Sequence, residues 1–308
     1  MQQAMILAAG MGVRMRPLSL GLPKPLFPVL NQPSIKRILH HLQGAGFKKA
    51  VINTFHLAKS LTDAINTWNI DIEIVTIVEP FLLGTGGALK NALPYFDENS
   101  PVLLINSDVV TDLDLGSILQ RHCHGRAIAT MLVHDRNVFN NVKVEDRRIA
   151  GFGYNGPDAL AFTGISVLQT DFINSFPDLF PSSLIEIISM AIRSGEVVSA
   201  LRAEYLKADY IWEDIGTAAG YLAAHETLLK GEKNNMLVGK RTDIPKDLCL
   251  NGWCSIGNDV FFGRDISISR AVVWDGCAVR DGERLEDCIV TPYGRLTLTK
   301  DMDQKGRL

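Results

Sequence analysis

Between Leu7 and Pro33 the chain reads LAAGMGVRMRPLSLGLPKPLFPVLNQP, a glycine- and proline-rich stretch that separates the apolar run AMILAA from the next helical pattern. Loops of such length inside a compact domain are usually functional. Gly10 and Gly12 allow backbone amides to approach an anion closely, and Arg14, Arg16 and Lys24 supply neutralising charge. A triphosphate suits such a cradle. A dinucleotide fingerprint does not fit: Met15 takes the third glycine position of G-x-G-x-x-G, Pro17 prevents an immediate long helix, and Asn53-Thr54 stands where an acidic ribose-binding residue belongs. A Walker A loop is excluded because no G-K-[ST] follows. A purely structural turn would leave the clustered cations unexplained. Asp108 comes just after the apolar run PVLLIN, at the C-terminal end of a predicted strand, where open α/β sheets bind ligands. Asp214 follows another short strand and precedes a helix that begins near Gly216. Taken alone, each aspartate would more often be a strand-end turn or a helix cap.

The elements that must hold these residues alternate. Short apolar runs at Ala4 to Ala9, Ala50 to Asn53, Ile72 to Val78, Val102 to Asn106 and Ile128 to Val133 predict strands. Apolar residues at three- and four-residue spacing predict helices at Ile35 to Gln43, Ala58 to Thr67, Gly87 to Leu93 and Ser117 to His124. Strands joined by crossover helices make an open, Rossmann-like α/β sheet. From Val142 to Leu168 short runs with Gly and Asn between them predict a small β insertion, after which helices resume at Leu184 to Arg193 and Ala218 to Lys230. Gly231 to Asp247 is polar and aperiodic and reads as a linker. Beyond it Ile256, Phe262 and Ile268 recur every six residues, and after a one-residue slip Val273, Val279 and Leu285 do the same. Gly257 and Gly263, then Gly276 and Gly282, keep the step. A six-residue apolar repeat predicts a parallel β-helix, with antiparallel hairpins as the plainer alternative. The expected division is a catalytic domain over 1–232 and a linker with a small β-helix-like domain over 233–308.

Composition limits the partners. The 308 residues are 46% hydrophobic and 21% charged, in the range of ordinary globular proteins. A formal charge of -3 provides no basic field of the kind that nucleic acid or a membrane surface requires, so anions must be met locally. No basic segment precedes the first apolar run, and no stretch approaches a membrane span of ~20 residues; a cytoplasmic protein is expected, and a homo-oligomer is compatible with all of this. Five cysteines, none in a C-x-x-C pair, predict reduced thiols. His122-Cys123-His124 suggests a metal site, but neighbours on a helix point apart, and a solvated helix end is the expected reading.

The sequence L-A-A-G-M-G-V-R-M-R-P-L-S, with P-K-P-L-F-P-V at Pro23 to Val29, resembles the signature of the sugar-1-phosphate nucleotidyltransferases, the NDP-sugar pyrophosphorylases. Further matches follow in family order: E-P-F-L-L-G-T-G-G-A-L at Glu79 to Leu89, N-S-D-V at Asn106 to Val109, F-T-G-I-S-V at Phe162 to Val167 and W-E-D-I-G-T at Trp212 to Thr217. The likeness covers Ala4 to about Leu229, and the repeat after it resembles the short left-handed β-helix tail of several members. The family includes mannose-1-phosphate guanylyltransferases, glucose-1-phosphate thymidylyltransferases and N-acetylmuramate-1-phosphate uridylyltransferases.

The resemblance implies a Mg²⁺-dependent enzyme whose partners are a nucleoside triphosphate and a sugar 1-phosphate. It assigns Asp108 and Asp214 to the metal, and Arg14 and Lys24 to catalysis. Leu7, Ala8, Ala9, Gly10 and Gly12 would bind the nucleotide, Gly10 and Gly12 cradling its phosphates with Arg14. Gly84, Thr85, Gly86 and Gly87 would admit the nucleobase, with Glu79 touching base or sugar. Gly164 and Asn106 would face the sugar. Two departures stand out. Ser107 replaces the glycine of N-G-D in many members, which would narrow the pocket, and GFGYNGPDA at Gly151 to Ala159 lacks their E-K-P, so no second catalytic lysine is assigned. L-G-T-G-G-A-L and the tail favour guanylyl transfer to a mannose-type sugar; F-T-G-I-S-V and the missing E-K-P favour uridylyl transfer. A non-catalytic nucleotide-sugar-binding subunit is the reading of another class, and a structural scaffold built on the tail is a third. In the scaffold case, removal of everything after Lys240 would change assembly more than chemistry.

Overall fold

The computed structural model describes residues 1–136 and 139–298. Contacts divide the chain into two compact units, one of Met1–Gly10 with Arg37–Trp212, the other of Met11–Lys36 with the chain from Glu213 onward.

The first unit is built on a nine-stranded mixed sheet. Across it the strands run Glu73–Val78, Lys49–Thr54, Gln3–Leu7, Val102–Asn106, Ala161–Leu168, Ala129–His134, Val198–Arg202, Arg148–Phe152 and Val142–Glu145. The first four are mutually parallel. Their runs (QAMIL, KAVINT, VLLIN) are nearly continuous in apolar residues because helices cover both faces, and Met5, Val51, Leu104 and Met131 are core residues with at most 1% exposure. The open α/β sheet foreseen from the alternation is thus present, with an antiparallel half added. The chain moves outward from the first strand to Lys49–Thr54 and Glu73–Val78, then returns to the other side of the first strand with Val102–Asn106. That reversal makes a crevice beyond the C-terminal ends of Gln3–Leu7 and Val102–Asn106, where doubly wound sheets receive ligands.

Ala161–Leu168 departs from the expected insertion. Only the hairpin Val142–Glu145 with Arg148–Phe152 forms an edge addition, whereas Ala161–Leu168 enters the middle of the sheet, antiparallel to both Val102–Asn106 and Ala129–His134. Seven of its eight residues are buried, and a strand apolar on both faces must be covered on both. Gly and Asn around it mark turns into and out of the sheet, which local composition cannot distinguish from an excursion.

In the second unit the six-residue rhythm becomes parallel coils. Met236–Val238, Cys254–Ile256, Ser267–Val273 and Arg284–Thr291 stack in parallel register, Met236 opposite Cys254, Cys254 opposite Ala271, and Ala271 opposite Cys288. Three hexads make one coil of 18 residues, the spacing from Met236 to Cys254; it is 17 from Cys254 to Ala271, across the sequence slip, and 17 again from Ala271 to Cys288. Gly257 and Gly263 sit where coils touch at a corner; a Cβ on either would run into the backbone of Asp275 or Asp281. Antiparallel pairing appears at one edge, where Gly294–Thr297 folds back on Arg284–Thr291. The expected linker is corrected here: its apolar Met236–Val238 is the first rung, invisible as a repeat because its partner lies a full coil away.

The buried thiols of this unit are core groups. Burial pushes Cys254 up to about 12 and Cys277 up to about 11, so neither is a thiolate at neutral pH. Among the described residues no helix is long and apolar enough to cross a membrane.

Candidate active site

The first unit carries Leu7, Ala8, Ala9, Gly10, Glu79, Gly84, Thr85, Gly86, Gly87, Asn106, Asp108 and Gly164; the second carries Gly12, Arg14, Lys24 and Asp214.

At the sheet reversal, Leu7 is in register with Asn53 on one side and Asn106 on the other. Parallel pairing therefore sets three strand ends in one row, from which Ala8–Gly10 and Ser107–Asp108 leave together. Ser107 is buried and donates its N–H to the Leu7 carbonyl at 3.1 Å, locking the two exits to each other. Asp108 is half-buried directly after it. Gly10 is exposed, and a Cβ there would meet nothing within 4 Å, so the chain itself does not require glycine at that position.

Gly164 is brought beside Asn106. The strand Ala161–Leu168 bulges between Phe162 and Ser166, and Gly164 takes φ +78° at the bulge. A Cβ there would lie 2.8 Å from Asn106 Nδ2 and 3.1 Å from Val109 Cγ2. Thr163 fixes the bulge through its Oγ1, which donates to Leu132 O at 2.9 Å, and its carbonyl accepts from Trp212 Nε1 at 2.9 Å. Two motifs distant in sequence, F-T-G and W-E-D, thus share a hydrogen bond.

Glu79 is 3% exposed, and both carboxylate oxygens are engaged. Oε1 accepts from Asn53 Nδ2 at 2.8 Å, Oε2 accepts from the Leu83 N–H at 3.1 Å, and Asn53 Oδ1 accepts from the Ala8 N–H at 3.0 Å. Through these bonds the carboxylate joins the start of the loop after Leu7 to the start of helix Gly84–Ala92. Asn53 was missed in the sequence, where it counted only as the absence of an acidic residue. A polar side chain at the end of an otherwise apolar buried strand was the available signal.

Gly84 to Gly87 are explained by chain packing. Gly84 has φ +74°, and a Cβ on it would strike the Ser182 carbonyl; Gly86 donates to that carbonyl at 2.9 Å; a Cβ on Gly87 would come within 2.7 Å of the Phe180 ring. Thr85 Oγ1 accepts the Leu184 N–H at 2.9 Å. The four residues receive the Phe180–Leu184 segment, a contact no local pattern reveals.

In the second unit Gly12 is left-handed at φ +61°, and a Cβ would come within 3.0 Å of Ser19 Cβ and 3.6 Å of Lys24 Cβ. Its carbonyl accepts from Ser19 Oγ at 2.8 Å and from the Met15 N–H at 2.9 Å. The loop is thereby drawn back so that Gly12 and Lys24 are neighbours, with Lys24 half-buried and Arg14 exposed. Asp214 closes the short strand Trp212–Asp214, and its Oδ1 accepts the Gly216 N–H at 2.6 Å. Thr217 then caps helix Ala218–Leu229 through the Gly220 N–H at 3.1 Å.

A model of the family described as Nucleotidyl transferase matches residues 3–152. N-acetylmuramate alpha-1-phosphate uridylyltransferase of Neisseria meningitidis serogroup B is 30% identical over 222 residues, covering 70% of this chain and 93% of that protein. The chain belongs to the sugar-1-phosphate nucleotidyltransferase family. Longer matches within that family are mannose-1-phosphate guanylyltransferase of Mycobacterium tuberculosis, 26% identical over 91% of this chain and 81% of the relative, and UTP–glucose-1-phosphate uridylyltransferase of Synechocystis, 29% identical over 96% and 84%. Among solved structures, HddC from Yersinia pseudotuberculosis complexed with GMP-PN shares the nucleotidyltransferase fold, with a TM-score of 0.62 and 22% identity across 74% of this chain and 100% of that one. Nucleotidyltransferases of this family generally depend on a divalent metal. Among the described residues no three of His, Cys, Asp and Glu gather as a metal site.

His122-Cys123-His124 accordingly divides. The helix end is as expected, but His122 is buried, not solvated: Gln169 Nε2 donates to its Nε2 at 2.9 Å, so its Nδ1 carries the proton and donates to Thr130 Oγ1 at 2.9 Å. His124 turns away to its own helix, meeting Gln120 O at 2.7 Å. A second buried imidazole, His134, lies edge-on to Trp212 at 4.4 Å. Burial, then the Arg136 charge, pushes His134 down to about 4; burial does the same for His122.

Proposed function

We propose that this nucleotidyltransferase joins a nucleoside triphosphate to a sugar 1-phosphate and releases pyrophosphate, with guanylyl transfer to a mannose-type hexose 1-phosphate as the first choice. The observation that carries the reading is the row of strand ends at the sheet reversal, with Gly10 open, Asp108 leaving beside it and Gly164 set against Asn106. The Mycobacterium tuberculosis guanylyltransferase, matched along 91% of this chain, favours this choice of nucleotide, while the Synechocystis uridylyltransferase, matched along 96%, favours the second reading. Uridylyl or thymidylyl transfer, to N-acetylmuramate or glucose 1-phosphate, is the second reading, supported by F-T-G-I-S-V and the Neisseria relative.

In this reading an oxygen of the sugar phosphate attacks the α-phosphorus, and pyrophosphate departs on the opposite side. The attacking oxygen is already ionised near neutral pH, so the chain needs no general base; positioning and charge neutralisation carry the rate. Leu7, Ala8, Ala9, Gly10 and Gly12 bind the nucleotide, Gly10 and Gly12 presenting backbone to its β- and γ-phosphates with Arg14, and Lys24 faces the transferred phosphoryl group or the sugar phosphate. Asn106 and the Gly164 backbone hold the sugar. Glu79 sets the start of the phosphate loop through Asn53, and Gly84, Thr85, Gly86 and Gly87 set the helix start.

Asp108 and Asp214 would hold Mg²⁺. Two carboxylates are a hard-oxygen set that suits it, with phosphate oxygens and water to complete the shell. When bound, the ion neutralises phosphate charge as it develops. A panel of four nucleotides against mannose, glucose and N-acetylmuramate 1-phosphates, followed by pyrophosphate release, tests the reading. GTP with mannose 1-phosphate is expected to give the highest kcat/KM. Binding of nucleotide sugar with no release from any pair would establish the non-catalytic subunit instead.

A further inference from the structure

The loop bearing Gly12, Arg14 and Lys24 is tied to the coils at several points, all within the second unit. A Cβ on Gly21 would run into the Tyr293 ring, and one on Gly294 would come within 3.0 Å of Pro17. Asn31 Nδ2 donates to the Ile256 carbonyl at 2.7 Å. Phe27, three residues after Lys24, lies edge-on to Trp274 with ring centroids 4.8 Å apart. The loop has little regular structure, only the short turns Val13–Met15, Leu18–Gly21 and Lys24–Leu26 and the two-residue ladder Pro28–Val29 with Gln32–Pro33, so its conformation depends on what it packs against.

At the centre of this contact is helix Ala218–Leu229. Its Tyr221 is fully buried; burial holds the phenol well above its ordinary range, so the O–H persists and donates to the Pro28 carbonyl. The same oxygen accepts from Trp274 Nε1 at 3.0 Å, and His225 Nε2 reaches the Pro28 carbonyl at 3.2 Å. Phe27 also meets the Tyr221 ring edge-on at 6.1 Å. The helix is registered to Asp214 in the same first turn, because a Cβ on Gly220, the residue before Tyr221, would collide with the Asp214 carbonyl. One buried chain of contacts therefore runs from the coil through Trp274 to Tyr221, and from there both to the segment after Lys24 and to the helix that follows Asp214.

We infer that Trp274 and Tyr221 are positioning residues for nucleotidyl transfer: the β-helix tail braces the cation-bearing loop and the Asp214 junction as one block, and is not an expendable attachment or only an assembly surface. The inference rests on the proposed roles of Lys24 and Asp214. Two aromatic groups with few rotatable bonds, packed and hydrogen-bonded in a dry interior, transmit position from coil to loop because such interiors do not deform freely. Preorganised cations act on a transition state only when they are held before it forms.

The test uses the full chain with Tyr221→Phe and, separately, Trp274→Phe. The first keeps the ring and deletes the hydroxyl between Pro28 and Trp274. The second keeps an aromatic ring against Phe27 and deletes the N–H, so it remains informative if the first variant folds poorly. Hydrogen exchange at the Leu26, Phe27 and Ser34 amides, which donate to Pro23 O, Lys24 O and Phe27 O, reads the loop independently of chemistry. Both variants are expected to exchange these amides at least about tenfold faster and to raise KM for the sugar phosphate about tenfold. Simple loss of folded enzyme would lower the apparent kcat and leave KM in place. Unchanged exchange in both variants overturns the brace, and faster exchange with KM unmoved overturns positioning. If the parent chain releases no pyrophosphate from any substrate pair while the amides still loosen, the functional reading falls and the catalytic role of the brace with it, although the mechanical tie stands.

Discussion

Asp108 and Glu79 are both acids near a predicted strand end, yet their environments give them different work. Asp108 follows the strand exit at the sheet reversal, whereas Glu79 spends both oxygens on Asn53 and the Leu83 N–H. Asp108→Asn is expected to cut metal-dependent turnover at least about a hundredfold with an unchanged circular dichroism spectrum; retained pyrophosphate release would remove Asp108 from the metal role. Glu79→Gln turns an amide N–H₂ toward one of two donors that a carboxylate satisfies. An unmet buried donor costs about 1–3 kcal/mol, so this variant is expected to lose stability in urea unfolding, and a normal midpoint would show that the network is dispensable. Gly164→Ala meets two obstacles, the positive φ and the Asn106 amide at 2.8 Å. Its expected signature is a raised KM for the sugar phosphate with the nucleotide KM little changed, seen in initial-rate kinetics.

At the scale of elements, helix Leu115–Cys123 is held to strand Ala129–His134 and to Gln169 through the His122 ring, and the strand ends on the second buried imidazole. Both rings are held near 4, below the ordinary 6.5 that an unfolded chain would show. Below pH 6.5 the unfolded state takes up protons that the folded state refuses. Stability therefore falls as pH drops from about 6.5 to about 4 and levels off below, by up to about 1.4 kcal/mol per pH unit for each ring. Urea unfolding between pH 7 and pH 4.5 should show the decline, and His122→Gln should make it shallower; an identical slope in the variant would place the effect elsewhere. The element boundaries themselves were mostly legible. Val102–Asn106 and Leu184–Arg193 match their apolar periodicity residue for residue, while Gly84–Ala92 starts earlier than expected because glycines weaken a helical pattern that packing against Phe180–Leu184 restores.

On the scale of the whole molecule, the coils share a unit with the Met11–Lys36 loop, not only with one another. Truncation after Lys240 removes Ile256, Trp274 and Tyr293 from beneath that loop, so it is expected to abolish turnover as well as alter assembly. A truncated chain that keeps wild-type kcat/KM in the same pyrophosphate assay would return the tail to the scaffold role.

Motif order, the glycine and cation types of the loop, the alternation of strands with helices and the hexad rhythm were all settled by the chain alone, because each is a local or strictly periodic constraint. The partners of those segments were not: Ala161–Leu168 entering the middle of the sheet, Phe180–Leu184 filling the glycine face of Gly84–Gly87, Asn53 joining Ala8 to Glu79, and Trp274 reaching Phe27 through no shared pattern. Such contacts join residues tens to hundreds of positions apart, and their energy comes from burial and hydrogen-bond completion that exist only after the chain has folded.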